Sequence, residues 1–317
     1  MANDLPLAWA LHDGAAGHRQ QVLALARALD PAPREWSLTA TAPWSWVAPR
    51  MLPGAARAFG PDFAAALAAP PALAVGCGRR AALATRLLRA RGSQVVLVLS
   101  PRLSPAHWDV VVAPEHDGLR GPNVVTLCGS LHGVDDAYLA AARAQFSGFA
   151  ALPSPRTVVL LGGPTAAVRF DRSAFEVMAA KLEYWLARDG GSLLVIGSRR
   201  TPKEMADLSR RNWADTPGLR WFDPSDGPNP YAGALAWADR FVVSPDSVNM
   251  VSEACATRAP VYVAEPGRGR GRVGVFLREL LQRGHIRAQE SQSLPFQSPP
   301  LRETARVAAA VRERLGR

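Results

Sequence analysis

Short apolar runs that end in glycine, proline or serine and then open into a helical pattern recur along this chain in two series. That alternation settles its fold class before anything else does. Residues 5–12 predict a strand, 13–17 a loop, and 18–29 a helix with Val22, Leu25, Ala26 and Leu29 along one face. Strands are expected again at 72–75, 94–99, 109–113 and 124–127, with helices over 79–89 and 135–146. The stretch 149–156, with Pro153 and Pro155, reads as a linker. The pattern then restarts, with strands at 157–161, 192–196, 219–222, 241–243 and 261–264. Helices are expected over 173–188, from Pro202 and from Asp246, and 300–317 reads as one more. Strands alternating with helices of ~10–15 residues imply βαβ units and parallel sheets. The expected architecture is α/β, with two Rossmann-like doubly wound domains facing a cleft. The first spans 1–150, the second 156–290, and a C-terminal helix covers 300–317.

The length of 317 residues suits two cores, and 48% hydrophobic content argues against disorder. Neither lysine (Lys181, Lys203) follows a glycine, so the P-loop is absent, as are G-x-S-x-G and D-x-D. Cys77, Cys128 and Cys255 lie far apart, which fits a reducing compartment and not a disulfide or thiolate-zinc scaffold. No apolar run approaches the ~18–20 residues of a membrane span. Asp4 precedes only a short apolar stretch at 5–11, unlike a secretory signal. A cytoplasmic protein is expected. The formal charge of +10 comes from 35 arginines and two lysines. Between Arg268 and Arg317 stand 11 arginines and four glutamates. This excess suggests a basic flank beside the cleft, suited to an acidic lipid or glycan acceptor or to the cytoplasmic face of a membrane. No recognition motif accompanies the charge, so nucleic acid is not an expected partner.

Open α/β sheets bind ligands beyond the carboxyl ends of their strands, which directs attention to the loops there. The first, from His12 to Gln21, places Gly14 and Gly17 at a helix N-terminus, where free amides favour an anion. Asp13 and His18 in the same loop form a candidate carboxylate–imidazole pair for taking a proton from a hydroxyl. Their other reading is a helix cap and a solvated first-turn residue. The second loop, Gly76-Cys77-Gly78-Arg79-Arg80-Ala81, fits G-x-G-x-x-A, but no acidic residue follows about 20 positions on. A tight helix-entry turn is the favoured reading, with NADP binding through Arg102 as the other.

A third group comprises Gly162-Gly163-Pro164-Thr165, Ser198-Arg199-Arg200-Thr201 and Ser244-Pro245-Asp246-Ser247. Together these loops offer amides, hydroxyls and two arginines for a diphosphate. Thr201 and Glu204 also make a plausible capping box. Glu253, two turns into the helix after Asp246, could accept ribose hydroxyls or pair with an arginine. Arg268, Arg270 and Arg272 alternate with glycines in what reads as a flexible loop, either closing on phosphate or simply solvated. Three consecutive polar residues, Glu115-His116-Asp117, cannot easily converge on one ion, so no metal site is expected. The same turn is expected to face the cleft. Trp44 and Trp46 read as core or lid residues.

The combination Asp13-Gly14…Gly17-His18…Gln21, Pro114-Glu115-His116-Asp117, Ser198-Arg199-Arg200-Thr201-Pro202 and the run from Ser244 to Ala254 resembles the mitochondrial-fission "elongated mitochondria" family. The similarity runs from Trp9 to the C-terminal helix. More distantly, Gly14…Gly17-His18 and Ala238-Asp239…Ser247…Glu253…Pro260 are similar to GT-B glycosyltransferases such as the peptidoglycan N-acetylglucosaminyl transferase. That likeness implies a metal-independent transferase with a nucleotide-diphosphate sugar as substrate and no further cofactor. The donor would sit on the second domain and the acceptor on the first. Glu253 becomes the ribose ligand, Ser247 a phosphate ligand, and His18 the base, oriented by Asp13 or Asp117. Gly163, Ser198, Arg199, Arg200, Thr201 and Ser244 would serve the leaving diphosphate. Asp246 departs from the small residues usual there. An acid beside a diphosphate is repulsive, so Asp246 is expected to cap the helix or touch a sugar hydroxyl. The family also implies an alternative, a GT-B-shaped scaffold recruiting partners at a membrane surface. A third reading, resting on 76–81, is an NADP-linked oxidoreductase or nucleotide-sugar epimerase. Residence would be cytoplasmic, peripheral on the inner face of the membrane.

Overall fold

The structure, a computed structural model, describes residues 8–317. The first three residues of the expected strand 5–12, like Asp4, lie outside them. The chain forms two compact units. One runs to Gly133 and takes back Glu303–Arg317; the other is Val134–Arg302.

The first unit contains β1 (Ala8–His12), α1 (Ala16–Leu29), β2 (Arg34–Ser37), α2 (Trp44–Val47), α3 (Pro61–Ala66), β3 (Leu73–Cys77), α4 (Arg79–Arg89), β4 (Gln94–Val98), β5 (Val110–Pro114) and β6 (Val124–Leu127). Its six strands are parallel in the order β2-β1-β3-β4-β5-β6. Both faces of the sheet are covered over β1 and β3 to β6, so these strands read as nearly continuous apolar runs, and only the edge strand β2 is mostly exposed. Trp9 and Leu11 point into a core closed by α3 and α4, whereas Ala8 and Ala10 point into one closed by α1.

The second unit contains α5 (Asp136–Gln145), β7 (Arg156–Leu161), α6 (Arg172–Asp189), β8 (Ser192–Gly197), α7 (Lys203–Asn212), β9 (Gly218–Trp221), α8 (Tyr231–Trp237), β10 (Arg240–Val243), α9 (Val248–Cys255), β11 (Val261–Val263), α10 (Gly271–Gln282) and β12 (Arg287–Ala288). Its sheet is also six-stranded and parallel, in the order β12-β11-β10-β7-β8-β9. The core under one face joins Phe175, Met178, Leu182 and Trp185 of α6 to Val159, Leu161, Leu193 and Val195 of the central strands. Two parallel doubly wound sheets are thus present, as the alternation implied. Among the described residues no helix is long and apolar enough to cross a membrane.

The expected boundaries require correction. The division falls after Gly133, not in the proline stretch, because α5 packs on α8 of the second unit. A Cβ on Gly233 would lie 2.4 Å from the Phe146 ring, so only glycine lets the two segments meet. Arg143 Nε also donates to the Ala236 carbonyl at 2.8 Å and its guanidinium stacks over Trp237. The last helix, α11 (Thr304–Leu315), belongs to the first unit, where Val307, Val311 and Leu315 complete the core beneath α1.

The supposed arginine loop is likewise shorter than expected. Pro266–Arg268 is a single 3-10 turn, and Arg272 lies in the first turn of α10. The basic stretch 268–317 is divided between the units, and many of its arginines hold the fold together. Arg302 pairs with Asp136 at 2.8 Å, Arg268 pairs with Glu265, Arg312 donates to the Ala28 carbonyl, and Arg317 donates to Gln94 and Ala72.

Candidate functional site

Each sheet has one place where the winding reverses and the loops at neighbouring strand ends part. It lies between β1 and β3 in the first unit, and between β7 and β10 in the second. Such switch points are where doubly wound sheets form binding crevices. The loops after β1 and β3 and those after β7 and β10, all singled out in the sequence, lie at these two points, whereas Glu115–Asp117 follows β5 and the Arg268 turn follows β11.

In the first unit, β1 ends at His12 and α1 starts at Ala16, leaving a turn short enough to need Gly14 at φ +82°. Asp13 Oδ1 lies 2.8 Å from His18 Nδ1 and also accepts from the Ala15 amide at 3.3 Å. Burial raises the Asp13 carboxyl pKa, but the His18 hydrogen bond, the imidazole charge and the amide outweigh it, and the net shift is downward. An ionised carboxylate can only accept, so Nδ1 carries the hydrogen, which leaves Nε2 as the nitrogen that can exchange a proton. The His18 side chain is 31% exposed. Gly17 lies in the first turn of α1. A carboxylate bonded to one ring nitrogen, with the other turned away from it, is the geometry that general-base chemistry requires. Asp117 sits in the turn after β5, three strand positions from β1, or about 14 Å along the sheet edge.

Two supports escaped the sequence reading. Gly78, at φ +93°, opens α4 directly beneath the dyad; a Cβ there would lie 2.7 Å from His18 Nδ1 and 2.8 Å from Asp13 Oδ2. The G-x-G-x-x-A signal was visible, and this packing accounts for its second glycine as a helix-entry turn. The other support is His12, buried at the end of β1. Its Nδ1 accepts the Gly14 amide at 3.1 Å, so the proton is on Nε2, which donates to Glu35 on β2 at 2.9 Å. Glu35 in turn pairs with Arg19 at 2.6 Å; that bond chiefly, aided by His12 against the effect of burial, lowers the Glu35 pKa. Cys77, beside the dyad, has its thiol pKa raised well above the ordinary value by burial and then by the Asp13 charge, and so is no ready nucleophile.

At the switch point of the second unit, three loops are tied together by one carboxylate. Asp246 has a side-chain exposure of 0%. It accepts from the Gly163 amide at 3.2 Å, from Ser244 Oγ at 2.6 Å and from Arg200 Nη2 at 2.5 Å. Ser244 Oγ also accepts the Gly162 amide at 2.8 Å. Glycine is required at both positions: a Cβ on Gly162 would lie 2.0 Å from Asp246, and one on Gly163 would lie 2.0 Å from the Arg200 carbonyl.

Several expected roles therefore change. Asp246 does not cap the helix; Ser247 does, accepting the Met250 amide at 3.4 Å. The amide of Gly163 and the hydroxyl of Ser244 are engaged within the protein. Thr201 and Glu204 form no capping box. Thr201 Oγ1 lies 2.8 Å from the carbonyls of Leu161 and Gly162 and accepts the Ser198 amide, whereas Glu204 pairs with Arg172. Ser198 Oγ accepts the Arg200 amide at 3.2 Å. The groups facing solvent are Arg199 and Arg200, the latter 48% exposed and held by Asp246 at one of its five N–H donors. Glu253 is buried and accepts from the Tyr231 hydroxyl. Burial pushes its carboxyl pKa up to about 7, against the opposing pull of that bond.

Residues 16–315 match the family described as Mitochondrial fission ELM1. The chain belongs to that family. It is 32% identical over 275 residues to the Arabidopsis thaliana protein named mitochondrial fission protein ELM1, a match covering 77% of this chain and 64% of the plant protein. The chain thus spans less than two thirds of that relative. An uncharacterised Rickettsia prowazekii protein, RP120, is 22% identical over 284 residues, covering 77% of this chain and 79% of its own length. In fold this ELM1-family chain is similar to the UDP-GlcNAc 2-epimerase of Methanocaldococcus jannaschii. The TM-score is 0.62 at 13% identity, with 98% of this chain and 100% of the other covered. The class expected from the alternating strands, α/β with two doubly wound parallel sheets, is the one observed.

Proposed function

We propose that this ELM1-family chain is a glycosyltransferase that takes a nucleotide-diphosphate sugar and passes the sugar to an acceptor hydroxyl. The observation that carries the proposal is the Asp13–His18 dyad at the β1/β3 switch point, with Gly78 making room beneath it. His18 Nε2 takes the acceptor proton as the hydroxyl oxygen attacks the anomeric carbon, and the nucleoside diphosphate leaves. Negative charge gathers on the leaving diphosphate in the transition state, and fixed cations meet it best when they need no rearrangement. Arg200, braced by buried Asp246, is such a cation; Arg199 and the α9 start at Ser247 act beside it. Asp246 is thereby a positioning residue, and its charge is neutralised before any phosphate arrives. In the donor complex Glu253 takes the ribose hydroxyls in place of Tyr231.

Two other readings have observations of their own. The plant relative's name favours a partner-recruiting scaffold, and the shared fold of a UDP-GlcNAc 2-epimerase favours epimerisation of the donor. One experiment separates the three. The protein is screened against nucleotide-diphosphate sugars for a rise in melting temperature, and then each stabilising donor is followed by NMR with candidate acceptors. Acceptor-dependent release of nucleoside diphosphate, reduced about 10²–10⁴-fold by His18→Ala, supports transfer. Loss of the thermal shift in Glu253→Ala supports the assigned donor face. Conversion of the sugar without diphosphate release supports epimerisation, and no shift with any nucleotide overturns both enzymatic readings in favour of the scaffold.

A further inference from the structure

Monomeric proteins usually scatter their exposed apolar side chains singly. Here Trp46, Met51 and Leu52 are 75%, 42% and 37% exposed on one short stretch from α2 to the turn at Gly54. The backbone of that stretch is fixed. Arg86 Nη1 donates to the Pro49 carbonyl at 2.7 Å, and Arg79 Nη2 donates to the Ser45 carbonyl at 3.2 Å. Trp44 turns inward against the core of the first unit, and a Cβ on Gly54 would meet its ring at 3.4 Å. The two tryptophans expected to act alike therefore divide, one anchoring the stretch and the other presented to solvent.

The charge around this stretch is of one sign. From Trp44 to Gly60 the sequence carries two arginines and no carboxylate. Arg50 and Arg57, on either side of Met51 and Leu52, are both exposed. Exposed Trp, Met and Leu side chains flanked by two exposed guanidinium groups match the boundary between lipid headgroups and acyl chains. There a tryptophan ring sits at headgroup depth, aliphatic side chains enter the apolar layer, and arginine forks engage lipid phosphate.

We propose that this face of the first unit, centred on Trp46, Met51 and Leu52 with Arg50 and Arg57, docks on an anionic phospholipid surface. The protein lies on the bilayer there. This inference does not depend on the transfer reaction.

The test uses the full chain and vesicle flotation. Binding to mixed phosphatidylcholine–phosphatidylglycerol vesicles is expected, with little to phosphatidylcholine alone, and it weakens as salt is raised. Trp46→Ser/Met51→Ser/Leu52→Ser, all at exposed positions, is expected to bind about tenfold or more weakly. Arg50→Ser/Arg57→Ser is expected to lose the preference for anionic lipid. Brominated acyl chains quench wild-type fluorescence more than that of Trp46→Phe, which keeps an apolar ring. Equal binding to the two vesicle types, or wild-type binding by the triple serine variant, overturns the proposal.

Discussion

Gly78 carries only hydrogen where any other residue would place a carbon 2.7 Å from the ring nitrogen of His18. Gly78→Ala therefore sets a positive-φ strain of about 1–3 kcal/mol against an unmoved dyad. The expected outcome is a lowered melting temperature together with a shifted His18 imidazole resonance; an unshifted resonance would separate Gly78 from the site. Asp13→Asn keeps the shape but presents an amide whose oxygen competes with its NH2 group for Nδ1. Turnover in any transfer assay should fall about a hundredfold or more while the fold is retained. Glu253 supplies a pH test. Its folded pKa of about 7 lies above the ordinary carboxyl value of 4.5, so the folded state binds the extra proton. This favours folding below the ordinary value and is lost as pH rises through 7. Glu253→Gln should then gain stability relative to wild type between pH 5 and pH 9, by about 3 kcal/mol at most. Urea titrations of the two proteins at both pH values measure it.

The loops after β7, β8 and β10 are distinct elements joined at one carboxylate. Asp246→Ala would leave the Gly163 amide, the Ser244 hydroxyl and the Arg200 fork without that partner, a loss of about 3 kcal/mol. Denaturant unfolding should show it, and Asp246→Asn should recover part. At this scale the sequence was informative where period and turn chemistry coincide. The helix over Arg79–Arg89 follows directly from Gly78 and the apolar spacing, and the strands are found within about two residues because both faces are buried. It was uninformative where an element is held by partners far along the chain. β2 is four mostly exposed residues kept in place by pairing with β1, and β12 is two residues paired with β11. The dyad was legible because Asp13 and His18 are a turn apart. The roles given to Asp246, Thr201 and Gly163 were not, because their hydrogen-bond partners lie some 40 to 80 residues away.

At the scale of the molecule, α11 connects the end of the second unit back to the first. Val311 is fully buried there, so Val311→Asp places a charge in the core beneath α1. Hydrogen exchange should then quicken in β1, α1, β5 and β6 and leave Val134–Arg302 nearly unchanged; uniform quickening would mean that the units unfold as one. The same return of the chain sets an order of assembly during synthesis. The second unit is an uninterrupted segment and can close as soon as residue 302 clears the ribosome. The first unit is made earlier, yet it has to wait, its α1 face uncovered, until α11 has emerged. The unit that carries the candidate base is thus the first to be translated and the last to be finished.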